Sequence, residues 1–141
     1  MVYFFKLQTL ILICFLFSCS NIADNKTAED YIKEGIENTK NQKYDEAIFS
    51  YKKAIEKDPK NALAHHALAG IYTFKDKNER AIEEHKKAIE LDPTYPDPHY
   101  GLGFVYKKLG RKEEAKKEYL LFEKLKKIEE NKSTETDTID L

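Results

Sequence analysis

Residues 62–95 read ALAHHALAGIYTFKDKNERAIEEHKKAIELDPTY, and this stretch decides the fold because parts of it recur at a fixed spacing. Alanine occupies one position of three successive copies, at Ala47, Ala81 and Ala115. Proline returns in the same way, 34 residues apart, at Pro59 and Pro93. A fixed period of about 20–50 residues is typical of proteins that stack copies of one supersecondary unit. We therefore expect a repeat protein.

Each copy contains two runs in which apolar residues recur at helical spacing. In residues 44–57, apolar side chains fall every three or four positions, and Pro59 prevents the helix from continuing. Residues 27–30 resemble a capping box with Asp30 in place of the usual glutamate, which predicts a helix start there, and Asn61 can cap the third helix. The remaining helices are expected near residues 62–75, 78–91, 96–109 and 112–129. The prediction is an all-α chain of three helical hairpins, at residues 28–61, 62–95 and 96–129.

The N-terminus has the layout of a secretory signal peptide. Residues 1–17 read MVYFFKLQTLILICFLF, in which Lys6 precedes an apolar run, and Ser18 and Cys19 follow that run. An uncleaved membrane anchor is the alternative. Eleven helical residues from Leu7 would rise roughly 17 Å, which is short of a hydrocarbon core of about 30 Å. The sequence therefore favours a signal peptide over an anchor.

The composition excludes several classes of protein. The chain has 141 residues with 24 basic and 25 acidic side chains, so it has no overall basic field to hold nucleic acid. Two cysteines are too few for a disulfide-rich scaffold. Residues 130–141, ENKSTETDTIDL, are polar and lack a helical period, so we expect a disordered tail there.

The third copy carries a motif that resembles the tetratricopeptide repeat (TPR) family. It reads His99-x2-Leu102-Gly103-x2-Tyr106 and continues with Ala115 and, four residues later, a tyrosine. The family pattern is W-x2-L-G-x2-Y followed by A-x3-F and a closing proline, so histidine stands here at the tryptophan position. The resemblance spans about residues 28–129. It implies an α-solenoid that binds other proteins.

The resemblance also implies which side chains face a concave groove. The family's groove positions fall here on Glu29, Ile32, Ile36, Lys40, Leu63, His66, Gly70, Phe74, Asp97, Tyr100, Phe104 and Lys108. The expected binding residues are Ile32, Ile36, Leu63, His66, Phe74, Tyr100 and Phe104, and the expected ligand is a peptide or helix of another protein. Some of these side chains could instead belong to the core, and a second copy of the chain could fill the groove.

One class of TPR partner does not fit the groove positions. Chaperone-binding TPR modules clamp a C-terminal carboxylate with lysine, arginine and asparagine. The corresponding positions here hold Ile32, Ile36, Ala67, Asp97 and Gly101. The chain therefore does not resemble a carboxylate clamp.

Residues 16–19, Leu-Phe-Ser-Cys, resemble the lipobox of bacterial lipoproteins. The resemblance implies that residues 1–18 are removed and that Cys19 carries acyl chains such as palmitate. Residues 19–27 would then tether the repeats to the inner or outer membrane of a bacterial cell envelope, where the protein would act as an adaptor in an assembly. Ordinary cleavage that leaves Cys19 as an incidental thiol remains open.

The sequence predicts no catalytic, metal or cofactor site. Its four histidines, His65, His66, His85 and His99, do not have the spacing of a helical metal motif, and three of them occupy aromatic positions of the repeat. No glycine-rich phosphate loop or nucleophile motif is present; Gly101 and Gly103 lie inside a predicted helix. We therefore expect a binding protein rather than an enzyme.

Overall fold

The computed structural model describes the backbone of residues 24–137 and the side chains as far as residue 132. The predicted signal peptide and Cys19 lie outside the described residues, as do residues 138–141. Six helices follow one another: α1 (Ala28–Lys40), α2 (Tyr44–Lys57), α3 (Ala62–Phe74), α4 (Asn78–Leu91), α5 (Asp97–Lys108) and α6 (Lys112–Asp137). The described part contains no strand, and the predicted all-α solenoid is confirmed. None of these helices has both the length and the apolar character to cross a membrane.

The helices form two layers. Each hairpin packs internally, α1 on α2, α3 on α4 and α5 on α6, and each second helix also packs on the first helix of the next hairpin. The first helices α3 and α5 contact each other directly, whereas no comparable contact joins the second helices of the described chain. We call the layer of first helices the inner layer and the layer of second helices the outer layer; α3 and α5 approach each other more closely than the second helices do.

Small residues allow the helices of a hairpin to cross closely. Ala47 and Ala81 are fully buried, and Ala115 is nearly so. On the facing helix, a Cβ atom at Gly35 would lie 2.5 Å from the Tyr51 ring, which is closer than two carbon atoms can approach. The 34-residue recurrence of small side chains thus has a packing cause, because a larger side chain would push the paired helices apart.

The predicted helix caps are present. The Thr27 hydroxyl oxygen accepts a hydrogen bond from the Asp30 amide at 3.2 Å, and the Asp30 carboxylate accepts one from the Thr27 amide at 3.0 Å. The Asn61 side chain accepts a hydrogen bond from the Ala64 amide at 3.0 Å. Both caps satisfy amides that the first turn of a helix leaves unpaired.

The last helix differs from the sequence prediction in two ways. It continues to Asp137, into the segment expected to be a disordered tail from residue 130. No glycine or proline follows residue 112, so no residue type that breaks helices interrupts it. The apolar residues Leu120, Leu121, Leu125 and Ile128 also predict that this helix covers the open end of the stack, but Leu120 and Ile128 are exposed. Polar side chains, Lys116 and Glu123, occupy the positions at which the earlier repeats present isoleucines to the next hairpin.

Candidate functional site

The inner layer exposes a row of large apolar side chains. They belong to α1, α3 and α5 and are 39% to 63% exposed: Ile36, Leu63, Phe74, Tyr100 and Phe104. We call these five residues the inner groove. Gly70 lies within the same set of predicted positions, and a Cβ atom there would meet nothing within 4 Å. The first helices therefore present apolar surface, with open space at Gly70.

Aromatic rings from the second helices support two of these side chains. The Phe74 ring lies 4.3 Å, centroid to centroid, from Tyr44 on α2. The Tyr100 ring packs against two rings of α6, at 5.6 Å from Tyr119 and 5.2 Å from Phe122. The groove positions predicted from the sequence did not include these three aromatic residues of the second helices. The apolar spacing of α2 and α6 in the sequence indicates that these rings are packed. It does not indicate which rings of the first helices they contact.

Ile32 corrects the predicted list of groove residues. It was expected to be exposed along the groove, but only 6% of its surface is accessible. It packs in one cluster with Tyr31, Ala54 and Ala64. Two alanines from α2 and α3 bring those helices close enough to cover the isoleucine. Ile32 is therefore a core residue of the first hairpin junction and cannot contact a partner directly.

His66 lies at the inner face but is half-buried. Its ring packs between the His85 ring, at 5.3 Å, and the Tyr95 ring, at 5.4 Å. Burial lowers the pKa of His66, and the Asp97 carboxylate partly opposes that shift. Its Nδ1 atom is buried without a hydrogen-bond partner among the described residues. The sequence-predicted binding residue is thus a packed, neutral imidazole between the second and third repeats.

Three of the polar groove positions carry exposed side chains, and a fourth is ion-paired. Glu29, Lys40 and Asp97 are exposed. Lys108, by contrast, forms an ion pair with Asp76 and donates a hydrogen bond to the Thr73 carbonyl at 3.3 Å. Lys108 therefore ties α5 to the end of α3 and is not available as a free cation.

Two further histidines join the helices of their own hairpins. His65 Nδ1 lies 2.7 Å from a carboxylate oxygen of Glu84, and His99 Nδ1 lies 2.7 Å from Glu118. Both pairs span 19 residues and occupy the same positions of successive repeats. Within the described residues, no group of three or more histidine, cysteine, aspartate or glutamate side chains could hold a metal ion. These histidines have a structural explanation in their carboxylate partners.

Family models match most of the helical stack. The model described as TPR repeat matches residues 37–73 and 71–110, and the one described as tetratricopeptide repeat matches residues 96–131. A comparison with curated proteins gave no match.

Solved structures include several similar chains. The second TPR of Spaghetti (RPAP3), bound to the HSP90 peptide SRMEEVD, is 30% identical with a TM-score of 0.69, over 71% of this chain and 93% of its own. The first TPR of the same protein, bound to the same peptide, is also 30% identical with a TM-score of 0.69, over 72% and 81%. The Sgt2 TPR domain from Aspergillus fumigatus, at 23% identity and a TM-score of 0.68, covers 70% of this chain and 66% of its own, and supports the fold alone.

Proposed function

Because the chain belongs to the tetratricopeptide repeat family, we propose that it is a membrane-tethered adaptor that binds a peptide or helix of another protein in the inner groove. The observation that carries this proposal is the row of five exposed apolar side chains on the first helices. Apolar surface of this kind is characteristic of binding sites, and tyrosine and phenylalanine are enriched at interfaces.

The chemistry of the groove favours an apolar partner over an acidic C-terminal peptide. The two similar RPAP3 domains are bound to the peptide SRMEEVD. Here the positions that would clamp such a carboxylate include buried Ile32 and the exposed carboxylate of Asp97. Asp97 would repel an anionic terminus, and Ile32 offers no hydrogen bond. A partner segment with leucine, isoleucine or aromatic side chains at helical spacing fits the groove better.

The groove assignment can be tested with two matched double variants. The first is Tyr100→Ala with Phe104→Ala, which removes two groove side chains. The second is Phe49→Ala with Leu109→Ala, which removes two exposed apolar side chains outside the groove. Crosslinking and co-purification from native membranes would identify the partner, and its affinity for each purified variant would then be measured.

The groove variant should lose binding by roughly 30-fold, since interface hot spots contribute about 1 kcal/mol or more each. The control variant should bind as the wild type does, and circular dichroism should show equal helicity for both. Equal binding by both variants would contradict the groove assignment.

We also propose that Cys19 carries the membrane tether. The support is the apolar run from Leu7 to Phe17 and the lipobox-like residues 16–19. Mass spectrometry of the mature N-terminus tests this directly. An acylated Cys19 at the first position is the expected result, Cys19→Ser should release the chain from membranes, and Cys14→Ser should affect neither property. An intact Met1 would instead favour an uncleaved anchor.

A second candidate function is a structural homo-oligomer in which a neighbouring copy fills the inner groove. The same exposed apolar side chains would favour it. Sizing of residues 20–141 over a range of concentrations separates the two functions. Concentration-dependent association that Tyr100→Ala with Phe104→Ala abolishes would favour the homo-oligomer, whereas a strict monomer would favour the adaptor.

A further inference from the structure

The outer face of α6 differs from the equivalent face of α4 at four positions. These positions point away from the core on the second helix of each repeat. The second repeat fills them with Glu83, Lys86, Lys87 and Glu90. The third repeat fills them with Lys117, Leu120, Leu121 and Lys124. Where α4 has an acidic residue, α6 has a lysine, and where α4 has a lysine, α6 has a leucine. We call these four residues of the third repeat the α6 outer face.

Leu120 of the α6 outer face does not belong to the core of the stack. Its side chain is 62% exposed, so it contributes little to packing within the stack. The positions that pack on a following hairpin are elsewhere on the helix: Ile82 and Ile89 occupy them in α4 and pack against the cluster of Leu102 and Tyr106. Packing within the stack therefore does not explain a leucine at position 120.

The lysines of the α6 outer face also differ from Lys87 of α4. In α4, Lys87 forms an ion pair with Glu90 at 2.9 Å. In α6, neither Lys117 nor Lys124 has an ion-pair partner within the described residues. Lys116 borders the same surface, and Glu113 is the one acid that lines it with them. The surface thus combines exposed leucine with an excess of unneutralised positive charge.

We propose that the α6 outer face docks on an anionic lipid surface. Leucine side chains can enter the boundary between headgroups and acyl chains, while lysine stems lie along it and place their ammonium groups among the phosphates. Clustered lysines next to a negatively charged bilayer attract it electrostatically. This combination of residues on one helix face is characteristic of a helix that lies on a membrane surface.

The position of the chain's N-terminus favours a membrane over an acidic protein as the occupant. Lys57 of α2 donates a hydrogen bond to the Asp24 carbonyl at 2.9 Å, and the Tyr31 hydroxyl of α1 donates one to the Asp24 carboxylate at 2.5 Å, so residue 24 is held against the first hairpin. From Asp24 to Cys19 the chain spans at most about 18 Å. A lipidated Cys19 would therefore keep the helical stack close to the bilayer, within reach of the α6 outer face, and this step rests on the proposed tether.

This orientation has a consequence for the inner groove. The first and second helices form opposite layers of the stack, so docking of α6 on lipid directs the first helices away from the bilayer. Phe74 and Phe104 would then face the aqueous side, where a partner can reach them. Lipid docking and partner binding would use opposite faces of the same three repeats.

A tryptophan probe can test the inference, because the chain contains no tryptophan. The full chain carrying Leu120→Trp is reconstituted with phosphatidylglycerol vesicles whose acyl chains are brominated, which quench a tryptophan that enters the bilayer. Lys86→Trp places the same probe at the equivalent position of α4 and serves as the matched control. Lys117→Glu with Lys124→Glu restores the acids found in α4 and is added to the Leu120→Trp chain.

The expected result is strong quenching of the Leu120→Trp probe and little quenching of the Lys86→Trp probe. The two added glutamates should return the Leu120→Trp signal to the control level, and phosphatidylcholine vesicles should do the same. A vesicle-bound chain whose Leu120→Trp probe stays unquenched would overturn the inference, leave the tether intact and direct attention to an acidic protein partner. A chain that fails to sediment with vesicles would overturn both the tether and the docking.

Discussion

Gly101 of α5 stands directly against the imidazole of His85 on α4. A Cβ atom built on Gly101 would lie 2.3 Å from Cε1 and 2.5 Å from Nε2 of that ring. His85 is 1% exposed, so its ring has little space into which it can move. This contact joins the second and third repeats, and it makes the absence of a side chain at residue 101 a structural requirement.

Gly101→Ala should therefore destabilise the stack. Alanine is the better helix former by about 1 kcal/mol, but overpacking a well-filled core costs about 1–3 kcal/mol, and we expect the second effect to prevail. Gly70→Ala is the matched control on α3, because a Cβ atom there meets nothing within 4 Å. It should raise the free energy of unfolding by about 0.5–1 kcal/mol. Urea unfolding of both variants measures the difference, and equal effects would contradict the contact.

The fold should lose stability in mild acid because of His85. Burial, with a smaller effect from His66, lowers the pKa of His85 to about 3. The unfolded side chain takes up a proton near pH 6.5, so between pH 6.5 and 3 the unfolded state binds more protons than the folded state. The free energy of unfolding should then fall as the pH falls, by about 2 kcal/mol from this group at pH 5.

Urea unfolding at pH 7 and pH 5 measures this loss. His66, whose pKa burial also lowers, should add to it in the same direction. The control is His85→Leu, in which an apolar side chain that cannot take up a proton occupies the buried position. The free energy of unfolding of this variant should depend less on pH. A wild-type stability that stays constant down to pH 5 would show that His85 is not buried as described.

The His99–Glu118 pair should contribute more to stability than an exposed ion pair on the same helix. Glu118 is largely buried and accepts its hydrogen bond from a buried imidazole. We expect Glu118→Ala to lower the free energy of unfolding by about 1–3 kcal/mol. Glu129→Ala removes the exposed Lys126–Glu129 pair and should cost less than about 0.5 kcal/mol. Thermal unfolding of the two variants compares them, and the reverse order would refute the assignment.

The turns within the three hairpins share one strained position. Gln42, Asp76 and Gly110 are spaced by 34 residues and all have positive φ, at 59°, 57° and 75°. Glycine adopts this conformation without the steric penalty that other residues incur. Gln42→Gly should therefore stabilise the chain by about 0.5–1 kcal/mol, whereas Gly110→Ala should destabilise it by about 1 kcal/mol. Chemical denaturation of both variants gives the sign of each change in the free energy of unfolding. A destabilised Gln42→Gly variant would contradict the conclusion that the positive φ at residue 42 is unfavourable for glutamine.

Most of the helix boundaries could be predicted because local signals determine them. The predicted helix at residues 44–57 agrees with α2, and that at 78–91 agrees with α4. Prolines, capping side chains and apolar spacing act within a few residues of each boundary. The end of α6 was not predicted, because the sequence after Glu129 lacks both an apolar period and a helix-breaking residue.

The candidate site was only partly predictable, for a different physical reason. The family positions identified Phe74, Tyr100 and Phe104, which are exposed. They also included Ile32, whose burial depends on how closely α2 and α3 approach it. A position within a repeat specifies which way a side chain points. It does not specify whether a neighbouring hairpin covers that side chain.

The sequence by itself determined the 34-residue period, the helical hairpins and the family, because all of these follow from short-range spacing. Only the tertiary structure decided which side chains meet across hairpins. Gly101 against His85, His99 against Glu118 and the exposed outer face of α6 are examples. Contacts of this kind depend on the distance and rotation between packed helices, and those quantities are set by the sum of many side-chain contacts along the whole stack.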